Sequence, residues 1–148
     1  MPQSLSNILI HVVFSTKTRQ PVITPNISQE LWKYLGATCS AQGCPPKRVG
    51  GTADHVHILC GLSRTIQVSA LAEEVKTTSS KWMKAQGIAD FAWQSGYGAF
   101  SIGQSQCDDA IAYIDRQADH HRRQTFQEEY REFLKKYQVE FDERYVWD

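Results

Sequence analysis

Two histidines one residue apart inside an apolar run, His55 and His57 of "ADHVHILC" (53–60), are the side chains of this sequence best placed for chemistry. On an extended strand residues i and i+2 share a face, so both imidazoles project together while Val56, Ile58 and Cys60 face the other way. Two neutral imidazoles side by side supply half of a site for a divalent cation. The other half must come from elsewhere. In "AIAYIDRQADHH" (110–121), Tyr113 and Gln117 lie four apart, stacked one turn above the other on a helix, and His120 completes the row. Two imidazoles and an amide oxygen can hold a divalent cation and leave positions for phosphate oxygens. A tyrosine hydroxyl beside them could attack a phosphodiester and become a covalent phosphotyrosine. Its ordinary pKa is about 10, so it needs the metal, or a base such as His120, to take its proton.

These side chains require a strand for the histidines and a late helix for the tyrosine. "NILIHVVFST" (7–16) reads as a central β-branched strand, and Thr24 followed by Pro25 as the start of a helix running to about 41, ended by Gly43. Residues 47–52 and 55–62 read as two strands of a hairpin. A second helix over about 67–86 carries Val68, Leu71, Ala72, Val75, Ser79 and Trp82 on one stripe and stops at Gly87. "YGAFSIGQS" (97–105) is a fourth strand. Ser105 with Asp108 reads as the capping box of a third helix, about 106–123, and Thr125 with Glu128 as that of a last helix, about 126–137, with Phe126, Tyr130, Phe133 and Tyr137 on its apolar side. The expected class is α+β: a ferredoxin-like βαββαβ antiparallel sheet with helices on one face and an added C-terminal helix. No linker or repeat divides residues 1–148, which are read as a single domain.

Composition narrows the partners without choosing one. The chain has 148 residues, 41% hydrophobic and 22% charged, with zero formal net charge. Residues 1–60 nevertheless carry a net charge of +3 and residues 116–148 one of −1, which permits a polyanion partner. No apolar run is long enough to span a bilayer, and the first residues lack a secretory pattern, so the expected location is cytoplasmic. Cys39, Cys44, Cys60 and Cys107 have no metal or redox spacing and are expected as free thiols. Lys17, Arg19, Lys47 and Arg48, with Lys76 and Lys81 on the second helix, are candidates for contacts to a nucleic-acid backbone. Trp32, Trp93 and Tyr97 could stack on unpaired bases, although core packing is the expected job of at least two of them.

"VVFSTKTRQPVI", "GGTADHVHIL", "VKTTSSKW", "WQSGYGAFSI", "YIDRQADHH" and "EEYREFLKKY", in this order, resemble the single-tyrosine HUH transposases of small bacterial insertion sequences. The resemblance implies an enzyme that cleaves and rejoins single-stranded DNA. Carried over by position, His55, His57 and Gln117 hold Mg²⁺ or Mn²⁺. Tyr113 is the nucleophile that forms a 5′-phosphotyrosine link and releases a 3′-hydroxyl. It also implies recognition of DNA hairpins, a bacterial or archaeal cytoplasm, and a homodimer in which the tyrosine helix of one subunit can serve the other. One departure is the absence of glycine near Thr77.

Each residue also has an ordinary explanation. A lone pair of histidines is more often satisfied by backbone or water, an edge tyrosine is common, and Gln117 alone would be a solvated helix residue. His11 reads as a structural strand residue, and His121 falls on the apolar stripe. Two other functions fit parts of the pattern. One is a non-catalytic hairpin DNA- or RNA-binding module, although the chain lacks an RNP1 motif. The other is a metal-dependent phosphodiesterase that uses water. The transposase reading requires Tyr113, the hydrolase only the metal ligands, and the binding module neither.

Overall fold

The computed structural model describes residues 2–120 and 123–148; the side chains of 119 and 120 fall outside that description. Four strands, β1 (Leu9–Ser15), β2 (Pro46–Gly51), β3 (His55–Gly61) and β4 (Gly98–Ile102), form one sheet in the order β2-β3-β1-β4. Every neighbouring pair is antiparallel. With α1 (Pro25–Ala41) between β1 and β2, and α2 (Val68–Ala85) between β3 and β4, this is the expected ferredoxin-like βαββαβ arrangement.

Alternation along the two central strands divides the sheet into two chemically different faces. Ile10, Val12 and Phe14 of β1 join Val56, Ile58 and Cys60 of β3 in one apolar core under α1 and α2. Helix α1 contributes Leu31, Leu35 and Cys39, spaced by four residues, and α2 contributes Leu71, Val75 and Met83. Gly43 and Gly87, just beyond the two helices, take left-handed conformations with φ of 74° and 102°. Only glycine adopts these without strain, which is why the helices stop there.

The odd-numbered positions face the other way, and that face is covered as well. Helices α3 (Cys107–Asp115), α4 (Gln117–His120) and α5 (Phe126–Lys136) lie over it, so helices occupy both faces of the sheet rather than one. Cys107 and Ile114 of α3 pack on Leu9 and Leu59, while Phe126, Tyr130 and Leu134 of α5 pack on Val13 and Phe100. Close approach of α3 depends on Gly50, where a Cβ would lie 2.8 Å from Ile114 Cγ2. The C-terminal residues are not a loose tail: Val146 and Trp147 pack on the α5 cluster, and Gly96 N–H donates to the Asp148 carbonyl at 2.8 Å.

Two local expectations are corrected. Ser105 caps nothing: Gln104–Gln106 form a single 3₁₀ turn, and Gln106 precedes α3 without a side-chain cap. The third helix is not continuous to 123 but breaks at Arg116, and α4 begins at Gln117. The last helix does start as expected, with Thr125 accepting from Glu128 N–H. All four cysteines are buried and free. No helix among the described residues is long and apolar enough to cross a membrane.

Candidate active site

The α3–α5 face carries the polar cluster. His55 and His57 point into it from β3 with no exposed surface, Gln117 from the start of α4 and Glu129 from α5 with 1% each. Burying so many polar groups is unfavourable unless each is bonded. His55 Nδ1 lies 2.7 Å from Asp54 Oδ1 and 2.9 Å from Thr52 Oγ1, whose own hydroxyl donates to Asp54 at 3.1 Å. A carboxylate can only accept, so Nδ1 carries a proton and Nε2 is aimed inward.

His57 is held from the neighbouring strand. Its Nδ1 lies 2.8 Å from Nε2 of His11, which faces Leu59 in the β1–β3 register and is therefore a diagonal neighbour. Burial, reinforced by the adjacent His57, lowers the pKa of His11 from 6.5 to about 3, so His11 is neutral. As an acceptor, its Nε2 can keep the His57 proton on Nδ1, which turns that Nε2 lone pair inward too.

At the centre, His57 Nε2 is 3.0 Å and His55 Nε2 3.5 Å from Glu129 Oε1, and His55 Nε2 is 3.1 Å from Gln117 Oε1. The Gln117 amide points its nitrogen away, toward Glu129 Oε2 at 3.4 Å and the Tyr113 carbonyl at 3.5 Å. Lone pairs of two nitrogens and two oxygens thus converge, an arrangement that calls for positive charge in their midst. Neighbouring ligands of an octahedral cation with bonds of about 2.0–2.1 Å sit roughly 3 Å apart, so the spacing and the donor set both fit a divalent ion. The ligand atoms of His55, His57 and Glu129 all lie within 4.8 Å of one another.

Tyr113, half-buried on α3, donates its hydroxyl to Glu129 Oε2. Burial first, and then the Glu129 carboxylate, push its pKa well above the ordinary value, so the resting hydroxyl keeps its proton. Tyr113 and His11 also line a cavity of about 270 Å³ with Phe133, Lys136 and Tyr137.

One chain therefore brings together all four residues singled out as nucleophile and metal ligands. The side chain of His120, the suggested proton relay, and the whole of His121 lie outside the described residues. Glu129 was missed because it sits on the apolar row of its helix, three residues after Phe126 and one before Tyr130. A carboxylate in that row was the available signal. His11 is more than a structural strand residue, since it fixes a histidine.

The basic residues are scattered. Lys17, Lys47, Arg48 and Lys81 are exposed and Arg19 half-buried. Lys76 and Lys81 belong to α2, on the layer opposite the histidines. Lys76 is a correction. Its ammonium donates to the carbonyls of Gln94, Ser95 and Gly96, tying α2 to the loop before β4, and its burial lowers its pKa to about 8. Trp93 belongs to the core, donating its indole N–H to Ser79 at 2.9 Å.

Residues 4–117 match the family described as "Transposase IS200 like". The chain belongs to the IS200-like transposase family. The match ends on Gln117, so Glu129 and α5 lie beyond it. Two solved structures share the fold of this transposase. A protein from Deinococcus radiodurans R1 described as a candidate transposase is 17% identical, with a TM-score of 0.63 over 79% of this chain and 95% of its own. A REP-associated tyrosine transposase bound to a REP hairpin is 14% identical, with a TM-score of 0.61 over 82% of this chain and 72% of its own. No curated protein matches the sequence. Family membership makes the chain a DNA-binding protein of transposition, a DNA strand transferase.

Proposed function

We propose that this transposase cuts single-stranded DNA beside a hairpin and rejoins it through a 5′-phosphotyrosine on Tyr113, with His55, His57, Gln117 and Glu129 holding a divalent cation. The observation that carries this reading is the convergence of four ligand atoms beside a tyrosine hydroxyl, on a face that simple packing would have filled with aliphatic groups. When bound, the cation supplies a Lewis acid that draws charge from a phosphate oxygen. Two imidazoles with a carboxylate favour Mn²⁺ over Mg²⁺.

The chain's own groups do the rest. The two oxygens of Glu129 have different work. Oε1 belongs to the cation cradle and Oε2 accepts from Tyr113, so the carboxylate is placed to take the tyrosine proton as the oxygen attacks phosphorus. The P–O bond to the 3′ carbon breaks, the departing oxygen takes up a proton, and the phosphotyrosine retains the energy of the broken link for religation. A single chain carries the whole cluster, so catalysis in cis needs no second subunit, and a homodimer that exchanges the tyrosine helix would use the same residues in trans.

The test is a denaturing gel of labelled single-stranded DNA bearing a hairpin-flanked element end, incubated with Mn²⁺. Wild type should give a protein–DNA adduct that EDTA prevents and that Tyr113→Phe lacks entirely. Cleavage without an adduct, persisting in Tyr113→Phe, would make the protein a phosphodiesterase that uses water. Hairpin binding with neither product would make it a binding module.

A further inference from the structure

β2 is one of the two edge strands of the sheet, and along its open edge runs a groove of about 610 Å³. This is a volume suited to a small organic ligand, for which about 300–1,000 Å³ is usual. One wall is α1, with Ser28, Gln29 and Trp32; the floor is β2, with Arg48; the far wall is the α3–α4 junction, with Gln117. Gln117 is the link to the reaction site, since its Oε1 is the atom 3.1 Å from His55 Nε2. The groove therefore begins where the cation cradle ends.

Its lining is specific in chemistry. Trp32 is half-buried, packing on the main core while also lining the groove. Arg48 is paired with Asp115 at 3.4 Å, with both side chains about half exposed. Such a pair is weak and readily exchanged for a phosphate, which the guanidinium can grip through two hydrogen bonds. A peptide adding as a fifth strand is disfavoured, because the β2 register is shifted between Pro46 and Arg48 and offers no regular ladder.

We infer that this groove is a subsite for an unpaired nucleotide next to the scissile phosphate, with its base stacked on Trp32 and its own phosphate on Arg48 in place of Asp115. The inference rests on the transposase reading and adds to it where the flanking strand lies. An aromatic face takes any base, but only one freed from a duplex, so the subsite would select single strands and would read sequence weakly.

Short oligo(dT) carrying iodouracil, irradiated with the Tyr113→Phe protein, separates binding from cleavage. The crosslink should map to Trp32. Trp32→Ala should weaken oligo(dT) binding roughly 5- to 100-fold, the worth of one lost stack, whereas Trp32→Phe stays within a few-fold. Arg48→Ala should reduce the salt dependence by about one phosphate contact. Melting curves of the three variants identify any loss that is merely unfolding, and the Phe variant keeps the test open if the Ala variant melts early. Crosslinks mapping elsewhere, with Trp32→Ala binding as tightly as its parent, would overturn the subsite. If the wild-type adduct on hairpin-flanked DNA still forms in that case, only the groove assignment fails. If neither adduct nor oligo(dT) binding is found, the transposase reading falls with it.

Discussion

The two faces of the sheet are built from the same two strands yet do opposite work. From β1 and β3, the even-numbered residues Ile10, Val12, Phe14, Val56, Ile58 and Cys60 form a closed apolar core. The odd-numbered His11, Ser15, His55 and His57 are just as deeply buried but polar. A core of the first kind gains roughly 1.5–3 kcal/mol for each large side chain it removes from water. A cluster of the second kind, with a carboxylate in its centre, does not repay its desolvation as an aliphatic core would. The lesson is that one face holds the fold and the other is kept polar at some expense in stability, which is expected of a site that must bind charge.

Neighbouring residues of β3 sharpen this division most strongly. Ile58→Ala should cost about 2–5 kcal/mol and lower the melting temperature by roughly 5–15 °C, while the rise in melting temperature on adding Mn²⁺ persists. His57→Ala should abolish that rise. Differential scanning calorimetry with and without Mn²⁺ measures both. An unchanged metal response in His57→Ala would break the comparison, because the polar face would then be structural.

Glu129 lets the same comparison be made at one position. Glu129→Gln keeps the shape, removes the charge, and should weaken Mn²⁺ binding by about 10- to 100-fold in isothermal titration. It should also bring the Tyr113 pKa down toward its ordinary value, since burial and the charge of Glu132 would still raise it but the Glu129 charge would not. Glu129→Leu, by contrast, should eliminate the metal response and also destabilise the metal-free protein by about 1–3 kcal/mol, because the Tyr113 hydroxyl and the Gln117 amide lose their acceptor. A Leu variant as stable as its parent would show that these donors find other partners and that the carboxylate serves the cation alone.

How much of this was legible in the sequence follows the same line. Strand and helix periodicity reports which residues turn inward, so the βαββαβ order and the pairing of His55 with His57 could be read directly. Periodicity does not report what an inward face meets. Read as the apolar side of a helix, the Phe126–Tyr137 row hid Glu129, although an acid there has no packing role. The helix break at Arg116 was equally silent, since "YIDRQAD" contains neither glycine nor proline. That break lets Gln117 open a new helix against His55. The coverage of both sheet faces, and with it the complete burial of the cluster, depends on α5 returning across the sheet, a long-range contact without a local signal.

A smaller effect is expected from the C-terminus. Removing the residues after Asp142 deletes the partly buried Val146 and Trp147, the exposed Arg131–Glu143 pair and the carbonyl that accepts from Gly96. The ion pair contributes little, being exposed. The lost apolar contact should cost roughly 1–3 kcal/mol. This would be seen as earlier melting with the Mn²⁺ response retained. Unchanged melting would mean that α5 secures the polar face without help.

The smallest effect is alkaline and tests whether α5 stays seated. Tyr130 lies on Gly98, where a Cβ would come within 2.8 Å of its ring, and is only 4% exposed. Burial, then the neighbouring Tyr97, raises its pKa from 10 to about 12. The raised value means that the folded state resists ionisation, so the stabilisation is complete below pH 10 and fades as the pH climbs toward 12. Near pH 11 the loss should be roughly 1 kcal/mol, because the unfolded chain gains by ionising and the folded one does not. Cys60 and Cys39, a hydrogen-bonded pair on the opposite face, are shifted in opposite directions, so the informative quantity is the difference between parent and variant. Tyr130→Phe should flatten the fall in melting temperature between about pH 10 and 11 relative to its parent, leaving only the part due to the other buried groups. Equal slopes in the two proteins would mean that the phenol already reaches water in the folded state, and that α5 covers the polar face less tightly than its packing implies.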